Sequence, residues 1–141
     1  MATYNSSKVA STVQRRAGLD LTVAYASYTF TVAPALNDVV NMIKVPKGAT
    51  VESVTVSSTD MDTNGAPAII LAVGDTGSAT RFVSGASIAQ GAGVVRGSNA
   101  TNLPFPYTYS SEDTISIKVT TGPATGAVGT VKLAVFYTMQ Q

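Results

Sequence analysis

Residues 114–120 read Thr-Ile-Ser-Ile-Lys-Val-Thr, and residues 131–138 read Val-Lys-Leu-Ala-Val-Phe-Tyr-Thr. In the first stretch Ile115, Ile117 and Val119 alternate with Ser116, Lys118 and Thr120; in the second Val131, Leu133, Val135 and Tyr137 hold every other position. Side chains of an extended chain point alternately to opposite faces, so both stretches predict strands with one face on a core and one towards water. The same texture extends outward. Residues 50–58 set Val54 and Val56 against Thr55 and Ser57, and residues 38–45 form another candidate, stopped by Pro46-Lys47-Gly48, a turn sequence. Ala68 to Val73 is continuously apolar, as in a strand buried on both faces. Short strands are expected at Arg81-Phe82-Val83 and around Val94 and Val95. In residues 21–32 Leu21, Val23 and Tyr25 share one phase and Tyr28, Phe30 and Val32 the other, which predicts a strand with one extra residue bulged near Ala26. About eight strands and no long helix, with no fixed-period repeat, make the fold all-β: a single β-sandwich, with jelly-roll winding the expected order.

Composition narrows the chemistry. The chain has 141 residues, 12% of them charged, a formal net charge of +1, and no cysteine, histidine or tryptophan. Disulfides, imidazole-ligated metals, Ser-His-Asp and Cys-His nucleophile systems and thiol redox chemistry are therefore excluded. Charged residues usually make up ~25% of a soluble domain. So sparse a charge, with a mean hydropathy of +0.22, predicts a surface partly covered by copies of itself or by a partner, and a homo-oligomer is the expected assembly. No signal peptide or membrane-length apolar run is visible, so synthesis in the cytoplasm of the producing cell is expected, without a membrane partner.

Residues 1–18 read as an N-terminal arm and residues 19–141 as the sandwich. The arm carries Lys8, Arg15 and Arg16 with no carboxylate, which leaves the body with six basic and eight acidic residues, a formal −2. It reads two ways. It is a solvated tail, or a segment that orders against an acidic groove on a partner, with Lys8, Arg15 and Arg16 pairing carboxylates and Val9 and Val13 adding burial. Removing everything before Leu19 is expected to leave the thermal stability of the sandwich nearly unchanged.

Four local motifs carry possible chemistry. Asp60-Met61-Asp62-Thr63-Asn64-Gly65 places oxygen ligands at alternate positions as a calcium loop does, through Asp60, Asp62 and Asn64. The twelfth position is Leu71, where a bidentate glutamate belongs, and the same residues are what a turn selects, so the turn is the better reading. Gly74-Asp75-Thr76-Gly77-Ser78 lacks the lysine and following helix of a phosphate cradle. Phe105, Tyr107 and Tyr109 could form a surface aromatic contact for sugars, although packing and subunit contact suit them better. Glu112-Asp113 is a weak carboxylate pair, because adjacent strand residues face apart. The basic residues form no stripe for nucleic acid, and neither an enzyme nor a cofactor is implied.

The order of the pieces is more informative than any one. Val45-Pro46-Lys47-Gly48-Ala49, the apolar strand ending Val73-Gly74-Asp75, Thr80-Arg81-Phe82-Val83, and Tyr109-Ser110-Ser111-Glu112-Asp113-Thr114-Ile115 before Gly126 and a terminal Val/Tyr strand resemble the small β-sandwich virion proteins of tailed bacteriophages, with the capsid decoration, or cement, proteins nearest. The resemblance implies a non-enzymatic, jelly-roll-like subunit, a homotrimer seated on the outer capsid surface and partnered by the major capsid protein. A carbohydrate- or receptor-binding fibre domain and a tail or neck component are the alternative readings.

Overall fold

The computed structural model describes residues 1–10, 12, 20–97 and 106–139. Ten strands run through these residues: β1 (Thr3–Asn5), β2 (Thr22–Thr29), β3 (Val39–Val45), β4 (Ala49–Ser58), β5 (Ile70–Gly74), β6 (Val83–Ala86), β7 (Gly93–Gly97), β8 (Tyr107–Thr108), β9 (Asp113–Thr121) and β10 (Thr130–Met139). The first sheet has the order β1-β3-β9-β5-β6; the second has β2-β10-β4-β7, with β8 also pairing β4. All pairings are antiparallel except β1 with β3. Among the described residues the helical segments are two short 3-10 turns, at Ser7–Ala10 and Ile88–Gln90.

The alternating stretches behave as their period demands. Ile115, Ile117 and Val119 on β9, and Val131, Leu133, Val135 and Tyr137 on β10, are all buried between the sheets. Val54 and Val56 on β4 meet them from the same side, and Leu71, Ala72 and Val73 of β5 are buried together. Apolar area removed from water by these facing side chains is the main favourable term holding the sheets together.

Two expectations about the first thirty residues need correction. No bulge occurs near Ala26: β2 pairs with β10 without interruption, from Thr22 opposite Tyr137 to Thr29 opposite Thr130. Its inward side chains are Ala24, Ala26 and Tyr28, followed by the buried Phe30, whereas Leu21, Val23 and Tyr25 are at least half exposed. Apolar residues on the outer face of an edge strand imitated a change of phase. Register shifts lie elsewhere: opposite Phe136 and Tyr137, where β4 carries the extra Glu52, between Asn41 and Ile43 on β3, and along β5 in its pairings with β6 and β9.

The second correction concerns the arm. Thr3, Tyr4 and Asn5 are a strand in parallel register with Val39, Val40 and Asn41. Ser6 is buried and donates its hydroxyl to the Met42 carbonyl, and Asn41 donates its amide to Asn5 Oδ1 at 2.9 Å. Tyr4 packs between the edges of the two sheets, 5.6 Å from the Tyr28 ring and 5.5 Å from Phe30, with Tyr28 and Phe30 themselves 5.2 Å apart. Three rings meeting tilted or edge-on close that side of the sandwich. The low apolar content that suggested a free tail is offset here by main-chain pairing and one aromatic side chain. The boundary at residues 18 and 19 lies outside the described residues.

Candidate functional site

Strand direction sorts the loops into two groups. β2 and β4 run towards the end where β10 begins, and β9 runs from the end where β3 finishes to the end where β5 starts. One end of the sandwich therefore carries the connections 30–38, 59–69, 87–92 and 122–129. The other carries 46–48, 75–82 and 109–112, together with the end of β1 and the start of β2. Each end gathers its loops on a buried aspartate: Asp62 at the first, where Asp38 is buried as well, and Asp75 at the other.

At the first end Asp62 is nearly inaccessible. Its Oδ2 accepts the backbone N–H groups of Ala68 at 2.7 Å, Ile69 at 3.2 Å and Ala124 at 2.8 Å, and its Oδ1 accepts those of Thr125 at 2.9 Å and Asn64 at 3.3 Å. Burial alone would raise the pKa of this carboxyl, but the N–H donors of Ala68, Thr125, Ala124 and Ile69 outweigh it and hold the pKa well below the usual carboxylate range. The carboxylate thus ties 62–69 to 122–125. Asn64 adds a bond to Thr125 Oγ1 at 2.9 Å, and Ala127 donates to the Met61 carbonyl. A Cβ on Gly126 would stand 2.8 Å from that of Ala33, so glycine is what lets loop 122–129 lie against loop 31–37. Asp38 fastens the remaining segment, accepting N–H bonds from Ala2 at 2.8 Å and Ala35 at 2.9 Å.

The alternate oxygens of residues 60–64 are therefore turn formers. Asp60 Oδ1 accepts the Asp62 N–H and Asn64 Oδ1 accepts the Ala66 N–H, each two residues on. Backbone donors surround Asp62 where a cation would need open oxygens. Among the described residues no three Asp or Glu side chains converge on a metal-sized site.

At the opposite end Asp75 is also buried, but its partners differ. Gly77 and Ser78 donate backbone N–H bonds to Oδ1 at 3.0 and 2.9 Å, so the carboxylate fills the turn that superficially suggested a phosphate cradle. Its Oδ2 accepts the Arg81 Nε–H and the Tyr109 hydroxyl, the latter at 2.8 Å. The Arg81 guanidinium lies 3.9 Å from the Tyr107 ring centroid, and the Tyr107 and Tyr109 rings meet edge-on at 5.0 Å. Burial opposes the Arg81 charge, yet Asp75 more than compensates and raises its pKa. Burial first, and then the Asp75 charge, push the Tyr109 hydroxyl far above its ordinary range.

This arrangement corrects one further expectation. Tyr109 is buried, not on the surface, and Tyr107 is half-covered by Arg81; Phe105 lies outside the described residues. Lys8 is exposed on the turn after β1 and Val9 is half-buried, while Val13, Arg15 and Arg16 lie outside the described residues. Thr12 donates to Glu112 Oε2 at 2.6 Å, and Glu112 pairs with Lys44 at 3.0 Å. Asp113 accepts the Thr76 hydroxyl at 2.8 Å. The two adjacent carboxylates are thus engaged with different partners.

The outer faces of the sheets differ as well. On the first sheet Asn5, Asn41 and Ser116 form a hydrogen-bonded row across three strands. The second sheet turns Val23 and Tyr25 outward, opposite Phe136 and Ala134 in the register.

No protein-family model and no curated protein sequence matches the chain. Solved structures do. A chain in the "Capsid of Ralstonia phage GP4" superposes with a TM-score of 0.85 over 99% of both chains at 24% identity. A chain in the "Acidic stable capsid structure of Helicobacter pylori bacteriophage KHP30" gives 0.63 over 86% of this chain and 89% of that one, at 17% identity. A chain in the "Cyanophage Pam1 capsid asymmetric unit" gives 0.77 over 92% of both chains and shares 34% of its residues with this one. The first two show the fold. Identity of the third extent over nearly the whole length shows more: this two-sheet chain belongs to the family of phage capsid proteins represented in the Cyanophage Pam1 capsid.

Proposed function

We propose that this virion component is a decoration, or cement, protein that adds to the outer surface of an assembled head and stabilises it without catalysing a reaction. The observation that carries the reading is the grouping of exposed apolar side chains, Leu21, Val23 and Tyr25 at edge strand β2 and Val32, Leu36 and Val128 at one end of the sandwich, with Val94 on the opposite edge strand β7, in a chain of capsid-protein kinship. A tile that builds a closed shell must meet neighbours on all its sides; the polar row of Asn5, Asn41 and Ser116 across the first sheet suits a face turned to solvent. The strand orders β2-β10-β4-β7 and β3-β9-β5-β6 alternate between sheets as two interleaved Greek keys do, which supports jelly-roll winding.

Self-association as a trimer is the second part of the reading. Edge strand β2, with Leu21, Val23 and Tyr25 exposed, is the surface that suits it. The basic arm, with Arg15 and Arg16, is a candidate secondary contact with acidic surface on the head. The fibre-type reading required Phe105, Tyr107 and Tyr109 open in one groove, and burial of Tyr109 on Asp75 speaks against it.

The experiment adds purified chain to heads of the parent phage made without it. Binding across the outer surface in hundreds of copies, seen by cryo-EM, with a raised disruption temperature of the heads, is the expected result. Occupancy restricted to a ring at the neck or tail would replace it with the tail-component reading. Light scattering of the free chain tests the trimer, and a monomer at tens of micromolar would leave only assembly on the head.

A further inference from the structure

We infer that the chain seats on the capsid shell through the Asp62 end, with Val32, Leu36 and Val128 as its contact side chains. This rests on the decoration reading and deepens it by naming the docking surface. Val32 is 55% exposed, Leu36 52% and Val128 57%, although all three sit on loops that the structure holds firmly. Phe30 donates to the Gly129 carbonyl at 2.8 Å, which sets the segments bearing Val32 and Val128 side by side. Gly122 and Gly126 bring loop 122–129 against Leu36 and Ala33. The five N–H bonds to Asp62 fix the same loop to 62–69. Apolar side chains that water would be expected to drive inward are instead displayed on a pre-ordered support, an arrangement that lowers the ordering cost of binding.

Charge identifies the occupant. The loops 30–38, 59–69, 87–92 and 122–129 contain no lysine or arginine, and of their three aspartates Asp38 and Asp62 are buried. Such a surface fits an uncharged protein face of apolar and hydroxyl groups. A second copy is a poor fit, because each copy would bring its exposed Asp60 to the contact with no cation to answer it. Area points the same way. Three aliphatic side chains and their small neighbours offer a few hundred Å², short of the ~800 Å² per partner of a stable free-standing complex. A repeating shell that binds many copies, each with further contacts, does not require that area from one patch.

The test uses heads of the parent phage lacking this chain. Leu36→Ser combined with Val128→Ser is expected to weaken co-sedimentation at least about tenfold, at both ~50 and ~500 mM salt, with an unchanged melting temperature. Because the chain has no cysteine, Val128→Cys and Lys47→Cys each introduce a single thiol, at opposite ends. On heads, maleimide labelling of the first is expected to slow at least about tenfold and labelling of the second to stay as fast as in free protein. Equal labelling of Val128→Cys in bound and free protein, or undiminished binding of the double serine variant, overturns the docking surface while leaving decoration intact. A wild-type chain that fails to bind heads at all overturns the decoration reading itself.

Discussion

Both ends of this sandwich bury an aspartate that gathers its loops, and they satisfy the charge by opposite means. Asp62 is held only by neutral backbone N–H groups, in a set of loops without one basic side chain. Asp75 takes two such groups and adds Arg81 and the Tyr109 hydroxyl, at the end that also carries Lys44, Lys47 and Glu112. A ring of oriented peptide dipoles stabilises an anion without placing a cation on the surface, so loop rigidity and an uncharged exterior coexist. An ion pair gives comparable order but needs a long basic side chain, which here is packed flat on Tyr107. The difference leaves the loops of one end free of basic side chains and gathers the ion pairs at the other.

The sharpest way to break the comparison is to remove the Asp62 carboxylate. Asp62→Ala leaves at least five backbone donors without acceptors and is expected to lower the melting temperature by on the order of 15 °C. Asp62→Asn should cost less and expose the pH dependence. The folded pKa of Asp62 lies below its unfolded value, so its contribution is complete above the ordinary carboxylate range and declines as pH falls through the folded pKa. The stability difference between wild type and Asp62→Asn should therefore shrink from pH 5 to pH 2; thermal melts across that range would detect a constant gap, which would contradict the assignment.

Breaking the other end tests the ion pair. Arg81→Ala strands the Asp75 charge and is expected to cost about 3–5 kcal/mol in urea unfolding. Arg81→Lys should recover part of this, since it restores the charge but not the planar stacking. A cost below 1 kcal/mol for Arg81→Ala would mean that Gly77, Ser78 and Tyr109 satisfy Asp75 unaided.

A smaller effect is expected from the element that spans both ends. Residues 1–10 connect Asp38 at one end to Met42 near the other through Ala2 and Ser6. Deleting them removes β1 and Tyr4 and should lower the melting temperature by about 5–10 °C. No change would restore the free-tail reading. The smallest effect belongs to the exposed pair of Lys44 and Glu112: Glu112→Gln should move the melting temperature by less than about 2 °C, less still in high salt, although Thr12 and Lys44 lower the Glu112 pKa.

Period-2 patterning made β4, β9 and β10 legible because their buried faces are mostly apolar and their outer faces mostly polar. The same rule misread β2, where alanines fill the inner face and Val23 and Tyr25 face outward, because apolar character marks burial only when no partner surface claims it. Strand β1 escaped notice because three residues carry no period; its register comes from β3, thirty-six positions away in the bonds of Ala2, Ser6 and Asn41. Strand β8, with two residues, was invisible for the same reason. The carboxylates were visible as candidates, but Asp62 reads as a possible ligand and as a turn former from the same letters. Its role depends on Ala124 and Thr125, which fall beside it only after β9 and β10 have been joined.

By itself the sequence determined the all-β class, the major strands, the absence of imidazole and thiol chemistry and the likeness to phage virion proteins. The first three follow from local periodicity and from which functional groups are present at all; the likeness is a resemblance carried by the order of the turn and strand motifs. Tertiary structure alone decided which aspartates are buried, which apolar residues remain exposed and which end of the sandwich is uncharged. Those properties belong to neighbours brought together from distant positions, and no local pattern encodes the distance between Asp62 and the backbone of residue 124, or between Asp75 and the hydroxyl of Tyr109.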